Sequence, residues 1–260
     1  LTTGQYFGIG AGDGTNMGSG AYGSFLLGDV KFYASALSSA DVNNLYLAEE
    51  SKYDLLYMVD GSKNVATYPD ISGLATTTIN QAGASYNAAA SGSIYYNGTA
   101  TGYTDFTFPL NGATTITVEM WVFPTAFSGG MFFGFYNYDI YTYNNAIGYN
   151  TAAGDVYGMN STQTSGCLNA WKHYVFVMRT DVSYTNNKIY VNGELYFGSF
   201  GWGGGTTMAT DTLNLRIGMG YDSSGEPGNV KVGSVKIYNR ALNSAEILAN
   251  YYGQKNRFGL

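Results

Sequence analysis

Charge, cysteine and histidine are scarce in this chain, and long apolar runs are absent. Of 260 residues only 12% are charged, and 12 Lys+Arg against 18 Asp+Glu leave a formal net charge of −6. No Lys/Arg cluster is available to neutralise phosphates, which argues against a nucleic-acid partner. The single cysteine, Cys167, cannot close an intramolecular disulfide. It reads as a small, buried, inert side chain, and the protein is not a disulfide-stapled module. One histidine, His173, is too few for a zinc cluster. No apolar run approaches the roughly 20 residues of a membrane span, so no membrane insertion is expected, and no signal-peptide pattern is visible. Leu1 stands where an initiator Met is absent and reads as a cut end or the edge of an ordered fragment.

What is plentiful is Gly (36) and Tyr (25), a composition of short strands and turns rather than long helices. In TTITVEMWVFP (Thr114 to Pro124), Ile116, Val118, Met120 and Val122 alternate with Thr117, Glu119, Trp121 and Phe123. Period two predicts a strand. Trp121 and Phe123 on the second face imply that this face is partly covered too, and Pro124 ends the strand. AWKHYVFVMRT (Ala170 to Thr180) predicts another, with Trp171, His173, Val175, Val177 and Arg179 on one face and Lys172, Tyr174, Phe176 and Met178 on the other. Two further strands, KIYV and ELYF, flank Asn192-Gly193, a pair that tolerates positive φ and marks a tight hairpin. Turns are expected at Thr185-Asn186-Asn187 and at the Gly-rich patches. Two short helices are expected, Ser38 to Glu50 and Asn243 to Gly253. In the second, Ser244 or Asn243 caps, Glu246 sits in the first turn, and Gly253 is the stop.

Those helices belong to a repeat. GDVKFYASALSSADVNNLY (Gly28 to Tyr46) matches the start of GSVKIYNRALNSAEILANYYGQKNRFGL (Gly233 to Leu260) at Gly, Val, Lys, Tyr, Ala, Leu, Ser, Ala and Tyr positions. Upstream, Ile9-Gly10-Ala11-Gly12 matches Ile217-Gly218-Met219-Gly220. Residues 1–50 therefore read as the C-terminal strands and helix of a preceding similar domain, a repeat of 213–253, and residues 51–260 as a complete domain. The alternative is an appendage packed on the following domain, its open strand edges covered by a partner.

Four elements, in order, carry a family resemblance: YPDISGL (Tyr68 to Leu74), GSIYYNGTATGYTDF (Gly92 to Phe106), ITVEMWVFP, and AWKHYVFV with KIYVNGEL. GSVKIYNRALNSAEI closes the pattern. The stretch from about Tyr53 to Tyr252 resembles laminin-G-like, concanavalin-A-like jelly-roll domains. The resemblance implies an all-β fold, a two-sheet antiparallel jelly-roll sandwich with a short C-terminal helix. The acid that usually opens the family's closing strand is replaced by Ser234, although the first copy has Asp29. That departure puts in doubt any calcium site the acid serves in relatives. The ending NYYGQKNRFGL resembles the C-termini of tailed-bacteriophage structural proteins. It implies a place on the virion surface, as capsid decoration, fibre or tail component, with other virion proteins or copies of itself as partners.

Chemistry is thinly represented. The spaced carboxylates of jelly-roll glycosidases are missing, and Glu119, alone in its strand, reads as a sheet-surface residue. His173 reads as a half-buried strand residue, not a triad member. IGAGDG and IGMGYD lack the strand-turn-helix setting of a phosphate loop. No enzymatic activity is expected. Calcium is the one cofactor in view, with Asp60, Asp70 and Asp222 as oxygen ligands; the same residues also suit turns closed on their own backbone. For host-surface glycans, Tyr138, Tyr141 and Asn144 in a Tyr/Asn-rich stretch, and Trp202 in a Gly-rich loop, offer rigid ring surface and polar groups. The Tyr ladder equally suits the lining of a sheet. The reading is a non-enzymatic virion surface protein with weak glycan adhesion; a secreted calcium-assisted lectin is the alternative.

Overall fold

The computed structural model describes residues 33, 35–39, 41–42, 55–60, 76–80, 84–87, 92–109, 114–127, 129–135, 138–151, 157–179, 187–196, 212–220 and 225–260. The chain divides into two compact units, Leu1–Ser38 and Ser39–Leu260. In the first unit only Tyr33 and residues 35–38 are described.

The larger unit is a sandwich of two antiparallel sheets. One sheet orders β13 (Glu194–Tyr196), β12 (Lys188–Val191), β11 (Lys172–Arg179), β6 (Thr115–Pro124), β15 (Asn229–Tyr238), β4 (Ser93–Asn97) and β3 (Ala84–Asn87). β1 (Leu55–Asp60) lies against Ser234–Tyr238 of β15, beyond the part that β4 occupies. The other sheet orders β10 (Tyr157–Met159), β9 (Ala146–Thr151), β8 (Tyr138–Tyr143), β7 (Met131–Phe135), β14 (Thr212–Ile217), β5 (Tyr103–Pro109) and β2 (Thr76–Asn80). The expected all-β jelly-roll sandwich is what the chain forms.

Alternation places the core. Ile116, Val118, Met120 and Val122 of β6 and Tyr174, Phe176 and Met178 of β11 face the second sheet and are fully buried or nearly so. Phe133, Ile140 and Ile217 meet them from the other side. Phe133 and Phe176 pack edge to face at 5.4 Å, a geometry favoured by the ring quadrupoles. Cys167 is buried and free, as expected. Asn192 and Gly193 both adopt positive φ (53° and 85°), the tight hairpin read from the sequence. A hairpin not anticipated joins β8 to β9 through Asn144 and Asn145 (φ 49° and 61°); asparagine is the non-glycine residue best suited to that region.

Outside the eight-stranded sheet lies a third layer. Helix α1 (Ser244–Gln254) is capped by Asn243, whose side chain accepts from the backbone of Ala245 and Glu246, while Glu246 reaches back to the Asn243 N–H. That reciprocal capping box satisfies the otherwise orphaned donors of the first turn. Arg240 holds Glu246 through two bonds of 2.7 and 2.9 Å. Burial alone would raise the Glu246 pKa, but the bonds from Arg240 and the Asn243 backbone outweigh it and lower it. The expected stop at Gly253 is corrected: the helix continues through it to Gln254. A 3₁₀ turn (Lys255–Phe258) follows, and Gly259 in the left-handed region ends it. Of the N-terminal helix expected over Ser38 to Glu50, helical backbone is described at Ser39, Asp41 and Val42; the rest lies outside the described residues.

Candidate functional site

The outer face of the eight-stranded sheet holds a buried carboxylate. Glu119 in mid-β6 is 1% exposed, not the sheet-surface residue the sequence implied. Its parity is as read, pointing away from the sandwich core, but α1 covers that face. Lys236 Nζ donates to Oε1 at 3.0 Å, and Asn250 Nδ2 and Tyr238 OH donate to Oε2 at 2.7 and 3.3 Å. His173 Nε2 lies 3.3 Å from Oε1 and is fully buried rather than half-buried. Desolvation would raise the carboxyl pKa; the Lys236 charge and the contacts from His173 and Lys236 outweigh it and hold it at about 2. A carboxylate this firmly ionised and paired joins strand to helix and has no proton to give. Trp121 beside it is stacked by Phe258 at 4.2 Å and 8°, with Tyr251 at 5.9 Å. The RFGL ending thus seals this face: Phe258 covers Trp121, and Arg257 Nη2 donates to the carbonyls of Gly92 and Gly233. Ser234, in the position where the family carries an acid, is buried and lies 3.3 Å from Gln254 Oε1.

The outer face of the seven-stranded sheet is built differently. Register aligns Asp105 of β5, Arg216 of β14, Gly134 of β7 and Asp139 of β8 in one row across the strands. Arg216 grips Asp105 in a bidentate pair (2.7 and 2.9 Å), and its guanidinium lies 3.9 Å over the Tyr103 ring. Along β8, Ile140 and Thr142 point inward, so Asp139, Tyr141 and Tyr143 point outward. The Tyr141 and Tyr143 rings are half-buried and stack at 6.1 Å and 16°. Opposite Tyr141 on β9 stands Gly148, which leaves its flank without a neighbouring side chain. Burial, then the Glu226 charge, raise the Tyr141 pKa, so the phenol stays protonated. The arrangement presents parallel aromatic surface beside fixed polar groups, which is what the apolar faces and hydroxyl edges of a sugar require. Behind it, Gly130, Thr142, Pro227 and Asn229 border a cleft of about 30 Å³, room for one water and not for a sugar ring.

The residues expected at a site divide accordingly. Tyr141 lies on this open face; Tyr138 opens β8, with only its backbone described. Asn144 is exposed and sits in the β8–β9 turn, next to Tyr143 on the chain. Trp202, Asp70 and Asp222 lie outside the described residues, and Asp60 is described only as backbone in β1. Among the described residues no three His, Cys, Asp or Glu side chains gather as a metal site, and no helix is long and apolar enough to cross a membrane. Sequence reasoning missed Tyr103, Asp105, Asp139, Tyr143 and Arg216. Their signal was outward parity on neighbouring strands, readable only with the register known.

Comparison with known proteins agrees with this architecture. The binding domain of Paraclostridial Mosquitocidal Protein 1 superposes with a TM-score of 0.57 at 12% identity, covering 78% of this chain and 52% of that one. The botulinum neurotoxin serotype D ligand-binding domain, solved with N-acetylneuraminic acid, gives 0.57 at 12%, covering 80% and 53%. A Trypanosoma rangeli sialidase gives 0.58 at 16%, covering 84% and 39%. The chain spans about half the length of the toxin domains, and at these identities the likeness is one of fold. No curated protein sequence is significantly similar. Residues 97–248, from the end of β4 into α1, match the Laminin_G_3 family. The chain belongs to that family, within the concanavalin A-like lectin/glucanases superfamily.

Proposed function

We propose that this protein is a non-enzymatic glycan-binding module of a virion surface, and that the outer face of its seven-stranded sheet contacts the sugar. The observation that carries the binding reading is the stacked pair Tyr141 and Tyr143 beside the Asp105–Arg216–Asp139 row. The virion setting rests on the resemblance of the RFGL ending to phage structural proteins. Two structural neighbours are binding domains of toxins, one of them solved with a sialic acid. On this chain Arg216 is already paired with Asp105, and Asp139 and Glu226 add negative charge nearby. The face therefore suits a neutral hexose or N-acetylhexosamine better than a sialylated end. Catalysis has no part in this reading, because the carboxylate in mid-β6 is sealed under a helix and committed to Lys236.

Retention on immobilised neutral glycans is the test, with Tyr141→Ala compared against the parent at equal thermal stability. The expected result is a loss of at least about tenfold in affinity, the scale of one stacked ring. Undiminished retention by Tyr141→Ala, or none by the parent, overturns the site. The same assay with EDTA tests calcium assistance through Asp60, Asp70 and Asp222. Co-sedimentation of the native protein with nucleic-acid-containing particles tests the virion setting separately.

A further inference from the structure

The helix and its 3₁₀ turn cover only part of the outer face of the eight-stranded sheet. Beyond them, register sets Tyr95 of β4, Lys231 of β15 and Phe123 of β6 side by side, with parity opposite to the core residues Tyr96, Val230 and Val122. Trp171 extends the row. It precedes Lys172, which pairs with Val122, and its ring meets Phe123 edge-on at 5.6 Å. The Asn169 N–H donates to the Pro124 carbonyl at 2.8 Å and holds this approach, and Phe258 backs Trp171 at 4.9 Å. All four residues of the row are half-buried, whereas Trp121, the next outward residue of β6, is fully buried.

Two donors stand unused in this platform. Lys231 Nζ lies 4.7 Å from the centroid of the Phe123 ring, which steadies the ammonium, and it has no ion pair among the described residues. Asn229 is the next outward residue of β15 and is half-buried. Tyr95 OH donates to its Oδ1 at 3.0 Å, and the Thr125 hydroxyl bonds the same oxygen. Those bonds fix the amide and leave Nδ2 without an acceptor among the described residues. The chemistry is the reverse of the seven-stranded face, where Arg216 is paired with Asp105 and Glu226 raises the Tyr141 pKa.

We propose that this platform is a second ligand site, separate from the Tyr141 face, and that it takes a hexuronate residue of an acidic polysaccharide. The sugar ring lies on Trp171, its carboxylate meets Lys231 Nζ, and Asn229 Nδ2 donates to the carboxylate or to an adjoining hydroxyl. Trp171 and Lys231 stand two strand spacings apart, about 10 Å between backbones, and the lysine leans over Phe123 between them. A hexuronate carries its carboxylate equatorially on the rim of a flat ring, so stacking aims the charge along the row. A neutral hexose offers the ammonium only a hydroxymethyl group, and a charge-assisted bond is the stronger one.

The test is a ligand-observed NMR titration of the full-length protein with methyl β-glucuronide and methyl β-glucoside, which differ only at C6. It is run on the parent and on Tyr141→Ala, which removes the contribution of the other face. Both are expected to bind the glucuronide at least about tenfold more tightly, the scale of one hydrogen bond to a charged group. Lys231→Met keeps an apolar stem on Phe123 and is expected to bring the two sugars to one affinity. Asn229→Asp keeps the acceptor for Tyr95 and Thr125 but puts a negative charge in place of the donor, and is expected to weaken glucuronide binding alone. Retention on neutral glycans reports on the Tyr141 site, so the two sites fail separately. No binding of the glucuronide, equal affinity of the parent for both sugars, a preference that survives Lys231→Met, or one that disappears in Tyr141→Ala overturns the proposal.

Discussion

The two outer faces of the sandwich start from similar material and end differently. On the eight-stranded sheet, Trp121, His173 and Val175 point away from the core and are nevertheless fully buried. On the seven-stranded sheet, Tyr141 and Tyr143 point outward and stay half-exposed. The difference is a cover: α1 and the 3₁₀ turn lie over the first face and bring Phe258, Tyr251 and Asn250 to it. Polar groups on the covered face must be satisfied internally, so Glu119 is ringed by donors. On the open face Asp105 and Arg216, each partly exposed, form a bidentate pair. One face supports the fold; on the other, the Tyr141 and Tyr143 rings keep part of their surface exposed.

The comparison breaks most visibly at Trp121. Trp121→Ala empties the stack under Phe258 and should cost about 3–5 kcal/mol, read from denaturant midpoints. Tyr143→Ala on the open face should cost less than about 1 kcal/mol in the same experiment.

Acid is the next probe. The Glu119 pKa is about 2 in the fold, below its ordinary value of 4.5. A depressed carboxyl contributes stability that is present above pH 4.5 and is lost as pH falls through 4.5 toward 2. The amount is about 3 kcal/mol, fitting a group that is 1% exposed. Stability measured against pH should fall across that window in the parent, and the Glu119 part of the fall should be missing in Glu119→Gln. A smaller effect is expected from Gly233→Ala, which pushes Phe258 off the strand, at about 1–3 kcal/mol. A comparably small effect is expected from Asn144→Ala, where a left-handed turn residue is lost, at about 1 kcal/mol in the same denaturant experiment.

Much of this was legible in the residues. Alternation in Thr114 to Pro124 gave β6 and its parity, Asn192-Gly193 gave a hairpin, and Asn243 with Glu246 gave the helix start. Glu119 was misread because parity says which way a side chain points, not what lies over it. Gly253 was misread because a helix packed on a sheet tolerates an internal glycine when the next stop is structurally better placed. The Asn144-Asn145 turn was not anticipated, although two adjacent asparagines suit the left-handed region that both adopt.

The sequence by itself determined the strand periodicities and the helix start, because each follows from local spacing of apolar residues, turn formers and caps; the two-sheet class came only with the family resemblance of its motifs. Tertiary structure alone decided the rest. Strand order set Asp105, Arg216 and Asp139 in one row from three distant segments. The docking of residues 244–258 turned an outward glutamate into a buried, ionised one. Burial and register depend on which surfaces meet, and that is a property of the assembled chain.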